Sequence, residues 1–306
     1  GIRVNAGSLT QGEIIALINY MNQILLSMFV FANVIVIFNK ASASYKRIQE
    51  VLAIHPHIHD GSGNTNFQKE NLISFDHVTF AYQGAQALKD LNFKILKGET
   101  IGIIGGTGSG KSTLVHLIPR FYDVTQGQIL IKGNPIQDYP LKGLREMIGI
   151  VPQQAVLFTG TIRENIQWGK KDASDSEIKE ALRIAQATFV EGLDSMIHQG
   201  GKNLSGGQRQ RLTIARALVK KPEILILDDS ASALDFATDA ALRKALKTLD
   251  STTIIVSQRV SSLMHADKIL VLSHGELVGM GNHQELLETC SLYQEIAKSQ
   301  LSEEVA

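Results

Sequence analysis

Residues 100–118, "TIGIIGGTGSGKSTLVHLI", run in order through an apolar β-branched segment, a glycine-rich turn and a helical segment. Strand, loop and helix in that order are the context that the phosphate-loop pattern requires. Gly105, Gly106, Thr107, Gly108, Ser109, Gly110, Lys111, Ser112 and Thr113 supply the pattern itself. Its glycines let backbone N–H groups converge on phosphate oxygens at a helix N-terminus, where the partial positive charge favours an anion. Lys111 then has the reach for β- and γ-phosphates, and Ser112 offers a hydroxyl to Mg²⁺. The stretch predicts an α/β core of the P-loop nucleoside triphosphatase type.

On the N-terminal side, "ISFDHVTFAY" (73–82) and "ALKDLNFKI" (87–95) alternate with period two. They predict an antiparallel sheet from Leu72 to Ile104 that ends in the buried strand "TIGIIG". On the C-terminal side, "ILILD" (224–228) and "TTIIVS" (252–257) are short, β-branched and bounded by breakers. Such runs are expected of central parallel strands covered on both faces. "DSEIKEALRIAQATFVEGL" (175–193) and "GGQRQRLTIARALVK" (206–220) read as helices and predict a helical subdomain at about 155–216. Asp228, closing a hydrophobic strand, suits a carboxylate of the Mg²⁺ shell.

"NLSGGQRQR" (203–211) narrows the class. The chain resembles an ATP-binding cassette (ABC) transporter of the exporter type, and Leu204 to Gln208 match the signature motif of that family without a change. The resemblance covers almost the whole chain, because "SLTQGEIIALINYMNQ" (8–23) is similar to the last membrane helix of such exporters. It implies that Tyr82 stacks on adenine, that Gln153 in "VPQQAVLF" links the Mg²⁺ site to the membrane domain, and that Ser232 to Asp235 form the D-loop at a dimer interface. It also implies ATP and Mg²⁺ as ligands, with Ser112, Gln153 and Asp228 around the metal. Two cassettes pair head to tail in this family, so Ser205, Gly206, Gly207 and Gln208 would face the γ-phosphate held by the partner, presenting donors at a helix start.

Three positions depart from the family pattern. Asp229, in "ILILDDSASALD" (224–235), stands where hydrolysing members usually carry a glutamate, and it is one methylene shorter, about 1.5 Å of reach. A misplacement of roughly 1 Å can cost about 100-fold, and loss of a placed base typically costs about 10² to 10⁴-fold. Gln258 replaces the usual histidine at the γ-phosphate; an amide donates a hydrogen bond but cannot become cationic. Gln199 replaces a glutamate that concerns domain coupling rather than chemistry. Two losses in the catalytic positions, beside intact Lys111, Ser112 and Asp228, resemble the degenerate-site subunit of a heterodimeric multidrug-type exporter. Such a chain is expected to bind ATP, hydrolyse it poorly in its own site, and complete the partner's site with its signature. The alternative is a homodimeric exporter with two slow sites. A soluble ABC ATPase acting on DNA or ribosomes, or a regulatory nucleotide-binding subunit, would be different classes; the first conflicts with the membrane segment described next.

Residues Ile14 to Asn39 contain no charged side chain, a membrane-spanning length. Lys40, Lys46 and Arg47 follow directly, so the positive-inside tendency puts everything downstream in the cytoplasm. Asn19, Asn22, Gln23, Ser27 and Asn33 fall on one arc of that helix, for hydrogen bonds to neighbouring helices or for lining a solute pathway. One helix cannot enclose a pathway, so further membrane helices are expected before Gly1, giving a multi-pass protein of the cell membrane in contact with lipid. The expected divisions are 1–50 for the last transmembrane helix and its extension, 51–71 for a linker and 72–302 for the nucleotide-binding domain. In the linker, His55, His57 and His59 alternate as in a metal tract, but no cysteine or carboxylate cluster completes one. Thirty basic residues balance thirty acidic ones, so the charge offers nothing for nucleic acid. The single cysteine, Cys290, excludes an internal disulfide, fits a reducing compartment and reads as a small half-buried side chain.

Overall fold

The computed structural model of the chain describes residues 10–54, 56–63 and 71–303. His55 of the histidine tract, residues 64–70 of the expected linker and residues 1–9 lie outside them. The chain divides into two compact units between His57 and Ile58.

In the first unit a 42-residue helix, α1 (Gln11–Leu52), contains the charge-free segment and continues without a break beyond it. Thr10 caps its start in a reciprocal box with Glu13, so two otherwise orphaned N–H groups are satisfied. The helix is long and apolar enough to cross a membrane, and none of its residues is buried within the chain. On its polar arc, the Ser27 hydroxyl donates to the Gln23 carbonyl at 2.8 Å, which turns that donor back into its own helix.

Among the described residues, the second unit is built on three sheets. β1 (Asn71–Tyr82) and β2 (Ala85–Leu96) pair antiparallel, as their period-two alternation predicts. β3 (Thr100–Ile104) leaves that sheet. It pairs in parallel with strands that come much later in the chain, which corrects the expectation that the antiparallel sheet ends there. Ile101, Ile103 and Ile104 are all within 1% of full burial, so both faces of β3 need a cover that an antiparallel edge would not provide. α2 (Lys111–Leu117) follows the phosphate loop. β4 (Gln126–Ile131) and the short β5 (Asn134–Pro135) then return to complete the antiparallel sheet in the order β2-β1-β4-β5.

After α3 (Leu141–Met147), β6 (Ile148–Val151), the edge strand of the central sheet, is followed by the helical region. That region holds α4 (Ile162–Gln167), α5 (Asp175–Ile184) and α6 (Gly206–Leu218), with a two-stranded ribbon of β7 (Gly160–Thr161) and β8 (Met196–Ile197). β9 (Ile224–Asp228), α7 (Phe236–Leu246), β10 (Thr252–Val256), β11 (Lys268–Ser273), β12 (Glu276–Gly281), α8 (His283–Thr289) and α9 (Ser291–Glu303) finish the chain. The central sheet has the order β12-β11-β3-β10-β9-β6 and is parallel except for β12. Successive side chains of its inner strands enter different cores. Ile224, Ile226, Ile254 and Val256 face the antiparallel sheet and α2, while Leu225, Leu227 and Ile255 face the helices. Continuous apolar runs are therefore required of these strands.

Candidate nucleotide site

Four neighbouring strands, β3, β10, β9 and β6, point the same way, and each ends in a loop that carries predicted site residues. The phosphate loop follows β3, Gln258 follows β10, Asp228 and Asp229 close β9, and Gln153 follows β6. Ligand crevices of open parallel sheets lie at such carboxyl ends. The order comes from β10 inserting between β3 and β9.

Gly110 turns the chain into α2 at φ +99°, and a Cβ there would sit 2.7 Å from Leu88 Cδ2 and 2.9 Å from the Ala87 carbonyl, so only glycine fits. Lys111 is 9% exposed, and its Nζ donates to the Gly105 carbonyl at 2.8 Å, the Gly106 carbonyl at 2.7 Å and Ser109 Oγ at 3.4 Å. The ammonium is thus held over the loop by acceptors that a phosphate can replace. Burial lowers its pKa, opposed by the charges of Asp229 and Asp228.

Ser112 Oγ donates to Asp228 Oδ1 at 3.0 Å, which joins the first turn of α2 to the end of β9. A hydroxyl and a carboxylate make a hard oxygen donor set, which suits Mg²⁺. His116 Nε2 lies 3.7 Å from the other oxygen of Asp228, a neighbour that no sequence pattern flags. Burial raises the pKa of Asp228, and burial followed by the charge of Asp228 raises that of Asp229.

Asp229 has φ +46° and its N–H donates to the Val256 carbonyl at 3.0 Å. Its Oδ2 accepts from Gln153 Nε2 at 3.3 Å, so two of the predicted residues are in contact before any ligand is considered. Its backbone carbonyl accepts from Ser232 Oγ at 2.8 Å, which ties the Asp229 backbone to the Ser232–Asp235 turn. Asp235 caps α7.

Tyr82 is 37% exposed, with its hydroxyl 3.4 Å from Thr113 Oγ1. Its ring meets Phe80 edge-on at 4.7 Å and Tyr122 edge-on at 5.1 Å. Tyr122 is a support that spacing does not reveal, because it follows α2 in the chain and meets Tyr82 only through the fold.

Ser205 is the N-cap of α6. Its Oγ accepts from the Gln208 N–H at 3.2 Å, and its own N–H donates to Gln208 Oε1 at 2.9 Å. The box leaves the Ser205 hydroxyl proton and the N–H groups of Gly206 and Gly207 at the helix start. A Cβ at Gly207 would stand 3.0 Å from the Ala233 carbonyl, so the first turn of α6 packs closely on the Ser232–Asp235 turn. α6 also reaches the loop of Gln153: the buried Gln210 donates to the Pro152 carbonyl at 3.2 Å, and Arg216 donates to the Val156 carbonyl at 2.9 Å.

The ABC transporter family model matches residues 88–232. The uncharacterized ABC transporter ATP-binding protein YfiB of Bacillus subtilis is 45% identical over 308 residues, covering 98% of this chain and 54% of that protein. The "Probable multidrug resistance ABC transporter ATP-binding/permease protein YheI" of the same organism is 41% identical, covering 94% of this chain and 51% of the relative. The chain therefore spans about half the length of the curated relatives it matches. Among solved structures, a bacterial Atm1-family ABC exporter with ATP bound superposes with a TM-score of 0.80 at 34% identity, covering 86% of this chain and 48% of that one.

Proposed function

The chain carries an ABC transporter ATPase domain of the exporter type, which binds ATP with Mg²⁺, and from that premise we propose that it is one half of an exporter whose own ATP site is impaired in hydrolysis. In this reading Lys111 and the loop Gly105–Gly110 hold the phosphates, Tyr82 carries the adenine, and Ser112, Asp228 and Gln153 surround Mg²⁺. A second, different half-transporter pairs head to tail with it, so Ser205, Gly206, Gly207 and Gln208 complete the partner's competent site. The complete protein is a multi-pass exporter of the cell membrane, divided here at 1–50, 51–71 and 72–302, with the ATPase domain in the cytoplasm.

The observation that supports impaired hydrolysis is the state of Asp229. Its short carboxylate is bonded to Gln153 at 3.3 Å, and the adjacent strand β10 leads into Gln258 rather than into an ionisable imidazole. Neither group can supply a second full charge as the γ-phosphate is attacked, and preorganised charge is the larger share of such catalysis.

The test compares two variants in the assembled pair. Ser205→Asp keeps a good N-cap on α6 while aiming a negative charge at the partner's triphosphate. It is expected to lower total ATPase activity by about 100-fold or more. Asp229→Asn removes a carboxylate from a site that is already slow and should cost less than about twofold, well below the loss expected for a working base. If Asp229→Asn is the more damaging of the two, Asp229 is a working base and the impaired-site reading is wrong. A fully active assembly of this chain with itself would overturn the heterodimer.

A further inference from the structure

The loop that carries Gln258 is held from outside the nucleotide site. The Ser257 N–H donates to the Ile103 carbonyl at 3.1 Å, and the Arg259 N–H donates to Ser257 Oγ at 3.0 Å. Two further bonds come from one side chain of the C-terminal helix. Gln300 Nε2 donates to the Gln258 carbonyl at 2.6 Å, and Gln300 Oε1 accepts from the Val260 N–H at 2.8 Å. The amide can sit only this way round, because a backbone N–H must donate and a carbonyl must accept. It pairs with alternate residues of the loop much as a neighbouring strand would, and Val260 is 7% exposed, where an unpaired N–H is costly.

Gln258 itself is exposed, so its placement comes from its backbone rather than from packing. α9, in contrast, is anchored without Gln300. Tyr293 is fully buried, Ala297 is 2% exposed, and Tyr293 Oη lies 2.8 Å from His283 Nδ1. Removing the carboxamide therefore frees the loop and leaves the helix docked.

We infer that Gln300 is a positioning residue that sets the reach of Gln258 toward the γ-phosphate, making the C-terminal helix part of the device that distinguishes ATP from ADP. The inference rests on the reading that Gln258 faces the γ-phosphate. ADP lacks that group, so a positioning defect weakens ATP and spares ADP, whereas general damage to the domain weakens both.

The experiment is equilibrium binding of Mg²⁺-ATP and Mg²⁺-ADP to the assembled transporter, with the partner's phosphate loop disabled. Gln300→Ala is expected to weaken ATP about tenfold, the worth of one well-placed hydrogen bond, with ADP unchanged. Gln300→Glu, equal in size but opposing an acceptor to the Gln258 carbonyl, should do the same. Lys298→Ala, an exposed neighbour on α9, should change nothing. Gln258→Ala combined with Gln300→Ala should bind ATP no more weakly than Gln258→Ala alone, because both act through one contact. Equal loss for ATP and ADP, no loss, or additive losses in the double variant would overturn the role of Gln300. If Gln258→Ala leaves the ATP preference intact, the γ-phosphate reading fails first and the positioning role falls with it. A normal Gln258→Ala effect with a silent Gln300→Ala removes the positioning role alone.

Discussion

Asp229 combines a backbone demand with a chemical one. Its φ of +46° lies in the left-handed region, where aspartate and asparagine are enriched several-fold among non-glycine residues. The shorter acid therefore suits the turn after β9 while it forfeits reach. Asp229→Glu with Gln258→His is expected to raise hydrolysis at this chain's own site by about 100-fold, and by more than either change alone, since both act on one transition state. Single-turnover ATPase measurement with the partner's site disabled checks this; an unchanged double variant would remove both positions from the mechanism. The adjacent carboxylates also carry a pH dependence. Both have folded pKa values above the ordinary aspartate value, through burial first, so the folded state holds their protons more tightly than the unfolded chain. Their ionised forms therefore cost stability at neutral pH, a cost relieved as pH falls through the folded pKa values. Asp228→Asn keeps an acceptor for Ser112 and deletes one charge. It should raise the melting temperature of the nucleotide-free protein by about 2–4 °C, the equivalent of roughly 1 kcal/mol in a domain of this size, while abolishing Mg²⁺-dependent ATP binding. A lower melting temperature would mean that the carboxylate is structurally satisfied.

Among the elements, α6 carries two duties. Its first turn is the signature, and its next turns hold the Gln153 loop through Gln210 and Arg216. Ser205 and Gln208 are legible as a motif, and the same spacing is a capping box, so the residues that the proposed function offers to a partner's phosphate also start their own helix. Ser205→Ala should therefore cost about 1 kcal/mol of stability by urea unfolding, whereas Ser205→Asp should cost a few tenths at most. Equal destabilisation by both would show that the cap contributes nothing here. Gln210, 1% exposed, was not legible as functional, since nothing in a helical period says which carbonyl a buried amide will meet. β4 pairs with β1 and β11 with β3, partners far away in the chain that leave no local mark, whereas the β11–β12 hairpin, turning at His274 and Gly275 with positive φ, is a local feature.

At the scale of the ATPase unit as a whole, part of the segment that composition marks as a linker is tied down. The Gly61 N–H donates to the Tyr139 carbonyl at 3.2 Å, the Gly63 N–H to the Asp138 carbonyl at 3.0 Å, and the Leu141 N–H to Asp60 Oδ1 at 2.7 Å. Arg120, 5% exposed, holds Asp123 through two bonds and donates to the His59 carbonyl at 2.9 Å. It stands just after α2, so the helix of the phosphate loop and the strap of residues 58–63 share one side chain. Arg120→Ala should cost about 2 kcal/mol, as expected for losing hydrogen bonds to a charged group, and should speed hydrogen exchange at the Gly61 and Gly63 amides ahead of the rest of the domain. Protected amides in that variant would show that the strap docks without Arg120.

The sequence by itself determined the phosphate loop, the signature, the strand that ends in Asp228 and the apolar helix. Each is a local pattern in which covalent spacing alone delivers the geometry: a strand, turn and helix in fixed register, or an N-cap with its third residue. Tertiary structure decided which sheet β3 joins, that β10 slots between β3 and β9, and hence that Gln258, Lys111, Asp229 and Gln153 meet at one edge. It also decided that Gln153 bonds Asp229, that Tyr122 backs Tyr82 and that Gln300 holds the loop after β10. These contacts join residues tens of positions apart through parallel pairing and single side-chain bonds, neither of which repeats along the chain, so no period or spacing in the sequence could encode them visibly.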